Sequence, residues 1–201
     1  PVPDENSFSA ARETLALTEN LTADDTVLFL LSGGGSALFE SPLVPGAELQ
    51  DITAQLLACG ADIVEINTIR KRLSAVKGGR FAQHCAPAHV FAVILSDIVG
   101  DPVDMIASGP VSPDSSTCAD ALAVAEKYAL RLSDTARRLL AQETPKTADN
   151  VTVRVIGSVR ELCAAAAKAC RDLGYTPEIL TDCEQGVARE VGARLGALAR
   201  E

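Results

Sequence analysis

Four segments of the 201-residue chain carry residue types and spacings suited to holding an anion. The first is Ser32-Gly33-Gly34-Gly35-Ser36, directly after the apolar run Thr26-Val27-Leu28-Phe29-Leu30-Leu31. Consecutive glycines admit positive φ and let the backbone approach a ligand. N–H groups gathered where a strand turns into a helix favour phosphate or carboxylate. The spacing sets aside three other loops. No Gly-Lys-Ser/Thr follows Gly35, so this is not a Walker loop. The G-x-G-x-x-G spacing of a dinucleotide site is absent. The serine elbow Gly-x-Ser-x-Gly fails at Leu38. The competing reading is a close-packed turn with no ligand.

The second segment, Arg70 to Arg80, holds Arg70, Lys71, Arg72, Lys77 and Arg80 and no acid, while the other 13 cations face all 27 acids. A positive island in an acidic protein focuses anionic substrates. Lys71 and Lys77 suit phosphate as point charges, and any of the arginines suits a carboxylate as a bidentate clamp. A solvated helix face with cations near its C-terminus is the alternative. The third segment is Ser96-Asp97-Ile98-Val99-Gly100-Asp101-Pro102-Val103-Asp104. Asp97, just past an apolar strand, is placed to hold a metal or orient a hydroxyl. Asp101 reads as a turn former before Pro102 and Asp104 as a helix cap. In the fourth, Ile106-Ala107-Ser108-Gly109-Pro110-Val111-Ser112-Pro113-Asp114, Ser108 and Gly109 offer donors to an anion while the prolines stiffen the loop, and a rigid surface turn is the alternative.

These segments need a scaffold that brings them together. Thr26–Leu31, His89–Ser96, Val151–Ile156 and Pro177–Leu180 read as strands. Helices are expected over about 7–21, 49–58, 61–74, 119–128, 133–142, 159–173 and 187–200. Strands alternating with helices predict an α/β fold: an open, mostly parallel, Rossmann-like sheet with helices on both faces and ligands at the carboxyl ends of the strands. The length suits one domain over residues 1–201.

The net charge of −9 argues against a general nucleic-acid or membrane-surface binder. No apolar run reaches the roughly 20 residues of a membrane span, and no signal peptide opens the sequence. The six cysteines form no C-x-x-C pair and read as reduced thiols of a cytoplasmic protein. His84, Cys85 and His89 are too sparse for a zinc site. Neither histidine has a paired acid or nucleophile in the sequence, so both read as structural or surface residues.

The ordered set Pro1-Val-Pro-Asp4, Leu31-Ser-Gly-Gly-Gly-Ser36, Ala61-Asp-Ile-Val-Glu-Ile-Asn67, Arg70-Lys-Arg-Leu-Ser74 with Lys77-Gly-Gly79, Leu95-Ser-Asp97 with Gly100-Asp101, and Ala107-Ser-Gly-Pro110 with Pro113-Asp114 resembles the class II glycerate kinases over almost the whole chain. The resemblance implies transfer of the γ-phosphoryl group of ATP to D-glycerate, usually at the 2-hydroxyl, with Mg²⁺ or another divalent cation. It also implies a fragment of the family's N-terminal domain. An upstream glycine-lysine segment and the C-terminal domain lie outside the chain, sheet neighbours are missing, and the piece alone is inactive. Self-association is left open. On this reading Ser32–Ser36 cradle an anion, Arg70 and Lys77 contact carboxylate or phosphate with Lys71 nearby, Asp97 holds metal or orients the hydroxyl, and Ser108 and Gly109 add donors. Two other readings stand beside it: a hydroxypyruvate reductase, which lacks a nicotinamide fingerprint here, and an anion-binding domain without turnover.

Overall fold

A computed structural model describes residues 2–96 and 98–200. Its frame is a parallel sheet of β1 (Thr26–Leu31), β2 (His89–Leu95) and β3 (Val151–Gly157), in that order. Leu28 pairs with Phe91 and Phe91 with Thr152, and a register shift at Ile94/Leu95 brings Leu95 opposite Gly157. β2 is the central strand, and its run Val90–Leu95 is apolar, the composition of a strand from a parallel sheet. Because all three strands run the same way, the Ser32 loop, the segment after Leu95 and the Ser158 turn leave the sheet at one edge.

Nine α-helices accompany these strands among the described residues. α1 (Glu5–Leu17) starts on a capping box in which the Asp4 carboxylate accepts from Ser7 N–H. α2 (Gly35–Leu38) is a single turn, followed by α3 (Gly46–Ala58) and α4 (Ile63–Arg72). α5 (Arg80–Cys85) leads into β2, and α6 (Cys118–Lys127) and α7 (Asp134–Leu140) precede β3. α8 (Val159–Asp172) and α9 (Ala188–Leu198) complete the chain.

Two cores divide the interior. One is helical: Phe8, Leu49, Ile52, Leu56, Ile69, Leu73, Val124 and Leu140 pack together. The other lies under one face of the sheet, where Leu31, Val90, Ala92 and Ile94 meet Phe81, Cys85, Ile106 and Val111. α4 joins them. All seven residues from Ile66 to Arg72 are buried, so the last two turns of this helix have no solvated face, while Ile63 and Val64 in its first turn are exposed.

The expected α/β architecture with an open parallel sheet is what the structure shows. Among the described residues nothing covers the opposite sheet face: Leu28 is 64% exposed, Leu30 70% and Ile156 58%, with Phe91 and Leu95 beside them. Pro177–Leu180 is not a strand. Pro177 lacks a ladder donor, and Thr181 Oγ1 takes the Cys183 N–H at 3.1 Å to turn the chain four residues later. Ile179 and Leu180 instead line a groove of about 420 Å³ with Cys163, Cys170 and Leu195.

Candidate functional site

The glycine loop leaves β1 with Ser32, Gly33 and Gly34 exposed. Gly34 has φ +86°, the left-handed region that glycine enters without a steric penalty. Gly35 needs its hydrogen for another reason. A Cβ there would stand 2.7 Å from Ala107 Cβ and 3.1 Å from Leu31 Cδ1. The loop is thus pressed against the segment containing Ala107 and Ser108. The first N–H groups of α2 have no partner within their own helix. Gly33 and Gly34 donate none of the backbone bonds found outside regular elements among the described residues.

The carbonyls on the inner side of this turn are held by buried cations. Arg70 Nη2 donates to Ser36 O at 2.7 Å, and Lys77 Nζ donates to the same oxygen at 3.0 Å and to Phe39 O at 2.9 Å. Glu40, itself fully buried, lies 3.7 Å from Lys77 Nζ and 4.0 Å from Arg70 Nη2. Neither Glu40 oxygen has a hydrogen bond, so this is a charge contact without the geometry of a fork. Burial pushes the Lys77 ammonium down to about 8, against the pull of Glu40 and with the push of Arg70. Burial also lowers Arg70, again opposed by Glu40.

The cationic run is therefore neither a surface island nor a solvated helix face. Arg70 is 7% exposed, and Lys71, Arg72 and Lys77 are sealed from solvent. Lys71 points away from the glycine loop to Asp114 at 3.0 Å and Asp104 at 3.2 Å. Arg72 meets Asp114 at 3.4 Å and donates to Ser116 O at 2.9 Å. Arg80 Nη1 donates to the carbonyls of Lys71 and Ser74 at 2.8 and 2.6 Å, fixing the end of α4. Burial pushes the Asp114 carboxyl up, but the Thr144 hydroxyl, the Ser116 N–H and Lys71 outweigh it and hold it below the usual range. Asp104 does not cap a helix. Its Oδ2 takes Lys71 and the Ser115 hydroxyl, because a buried ammonium offers a stronger partner than a helix N–H.

Ser108 belongs to a 3-10 turn over Ile106–Ser108 in which Ala107, Ser108 and Gly109 have φ of +51°, +63° and +63°. Their N–H groups are partly consumed, Ser108 donating to Met105 O and Gly109 to Ile106 O. What reaches the glycine loop is the side chain, with Ser108 Oγ 3.1 Å from Ser36 Oγ. Asp97 lies outside the described residues. Its neighbour Ser96 donates through Oγ to Ile98 O at 3.2 Å. His84 and His89 are tied to Leu15 O and Thr152 Oγ1.

The structure brings together Ser36, Arg70, Lys77 and Ser108 around one turn, and turns Lys71 to a second cluster behind it. Sequence reasoning passed over Glu40 and left Asn67 and Asp114 as motif members without a role. Glu40 had a usable signal, a lone acid after the apolar turn Ala37-Leu38-Phe39. Asn67 and Asp114 are short polar residues that look like any cap or turn until their partners are known.

A family model described as a domain of unknown function, DUF4147, matches residues 1–141. The D-glycerate 2-kinase of Thermotoga maritima is 50% identical over 206 aligned residues, taking in 100% of this chain and 49% of the relative. A protein of Agrobacterium vitis provisionally named hydroxypyruvate reductase is 42% identical, over 99% of this chain and 47% of its own length. The crystal structure of glycerate kinase from Thermotoga maritima superposes with a TM-score of 0.91 at 49% identity, covering 100% of this chain and 49% of that one. The chain spans about half the length of these relatives. Residues 1–141 carry the family signature, the similarity to glycerate kinases continues to the end, and the chain belongs to the DUF4147 family.

Proposed function

We propose that this chain forms part of a glycerate kinase that transfers the γ-phosphoryl group of ATP to D-glycerate at the 2-hydroxyl. The observation that carries the reading is 50% identity, over the whole chain, to a protein named for that reaction. The glycine loop supports it, because its N–H side is open while its carbonyl side is held by Arg70 and Lys77. Phosphoryl transfer asks for positioning and charge neutralisation more than covalent chemistry. Ser32, Gly33, Gly34, Gly35 and Ser36 then cradle the anion. Arg70 and Lys77 act on it through the loop they hold, while Lys71 and Asp114 fix α4 behind them. Ser108 acts through Ser36 rather than through its own N–H.

A divalent cation would neutralise phosphate charge during transfer. Among the described residues no group of three or more His, Cys, Asp or Glu side chains gathers to hold one. Magnesium in kinases needs only one or two carboxylates beside the phosphates, and Asp97, two residues beyond β2 in the sequence, is assigned that part. The reaction is assigned to the cytoplasm on the reduced-thiol reading of the six cysteines.

Incubation of a full-length protein that contains this chain with ATP, Mg²⁺ and D-glycerate, followed by ³¹P NMR, tests the reading. The expected products are ADP and a phosphomonoester on the 2-carbon; ATP left intact beside D-glycerate would sink it. The hydroxypyruvate reductase reading rests on the name of the Agrobacterium vitis relative. Hydroxypyruvate-dependent oxidation of NADH in the absence of ATP would favour it.

A further inference from the structure

Behind the glycine loop lies a chain of three polar side chains whose proton order follows from valence. Ser108 is fully buried, and its hydroxyl donates to Asn67 Oδ1 at 2.9 Å. Asn67 is 1% exposed, and its Nδ2 is turned towards Met105 Sδ at 3.5 Å. Ser36 Oγ stands 3.1 Å from Ser108 Oγ on the other side. A serine hydroxyl has one proton and two lone pairs, and an amide oxygen only accepts. The Ser108 proton goes to Asn67, so the proton shared by the two serines belongs to Ser36.

We propose that Asn67 is a positioning residue that, through Ser108, turns the Ser36 hydroxyl proton inward, so that Ser36 meets the ligand with lone pairs alone. The loop then carries two kinds of recognition side by side: backbone N–H groups for an anion, and one hydroxyl oxygen for an O–H donor. An anionic substrate that bears an alcohol fits this pair, and this step rests on the proposed phosphoryl transfer to glycerate. The backbone supports the arrangement. Ala107 and Ser108 adopt left-handed conformations that non-glycine residues rarely hold, and strain of that kind persists where the surroundings fix it. Gly35 packs directly on Ala107, which sets the distance between the serines.

Neutron diffraction from crystals of the deuterated protein reads the proton order directly. The expected result is one deuteron on Ser108 Oγ aimed at Asn67 Oδ1 and one on Ser36 Oγ aimed at Ser108 Oγ. A deuteron running from Ser108 to Ser36 overturns the proposal. Kinetics of D-glycerate phosphorylation then test its consequence. Asn67→Leu frees the Ser108 proton and is expected to raise the KM for D-glycerate about tenfold, the effect of one hydrogen bond, with kcat nearly unchanged. Ser108→Ala removes the link between Asn67 and Ser36 and should raise that KM to a similar extent, and Asn67→Leu added to it should raise it no further. Additive losses in the double variant would reduce Asn67 to a packing residue and end the proposal. A parent protein that phosphorylates no glycerate would end the kinase reading instead, while the deuterons would still decide the proton order.

Discussion

At the residue scale, the cations act from inside. Lys77 has no exposed surface and gives two hydrogen bonds to carbonyls at either end of α2. Removing one member of a buried ion pair leaves the other uncompensated, which costs about 3–5 kcal/mol, whereas neutralising both members is far milder. Lys77→Met is therefore expected to lower stability by about 3 kcal/mol in urea unfolding. Lys77→Met combined with Glu40→Gln should recover at least half of that loss. The titration of Lys77 gives a second outcome. Burial holds its folded value near 8, below its ordinary 10.5. Between those values the unfolded chain binds more protons than the folded one, so the stability linked to this residue rises with pH across that window. It is lost as pH falls through about 8 and flat below. Unfolding curves from pH 7 to 10.5 should show this rise in the parent relative to Lys77→Met; parallel curves would contradict it.

At the scale of elements, two loops and one helix make the site. Gly35 lets the turn after β1 touch Ala107, and a methyl group there would meet two side chains at or below 3.1 Å. Overpacking of this kind costs about 1–3 kcal/mol. Gly35→Ala should lose that much stability and lower phosphorylation of glycerate, by parting Ser36 from Ser108. The elements themselves were largely legible. β1 and β2 read as strands because they are short apolar runs with turn residues at their ends. α4 announced itself through Asp62 and Glu65, which form a capping box. Its surroundings were not legible. A run such as Arg70-Lys71-Arg72 looks solvated in sequence because the acids that neutralise it, Asp104, Asp114 and Glu143, lie more than 30 residues away. Pro177–Leu180 misled for the opposite reason, since four residues of strand composition do not supply a ladder partner.

At the scale of the molecule, one sheet face is finished and the other is not. Leu28, Leu30, Phe91, Leu95 and Ile156 form a patch with nothing over it among the described residues. Patches of this kind promote association. The chain by itself should bind a hydrophobic dye and sediment with a concentration-dependent mass, and Leu30→Lys with Leu28→Glu should suppress both. Those two side chains are mostly exposed already, so stability should change by less than about 1 kcal/mol. The net charge of −9 leaves the glycine loop no general field to draw anions, so capture falls to local N–H groups.

The central claim is that Ser32–Ser36 is an anion cradle shaped from behind by Arg70 and Lys77. Titration of the ¹⁵N-labelled protein with D-glycerate, followed amide by amide, tests it most directly. The account predicts saturable shifts that are largest at Gly33, Gly34, Gly35 and Ser36, and weakened when Lys77→Met removes the support behind them. Saturable binding that leaves those four amides unmoved would contradict it.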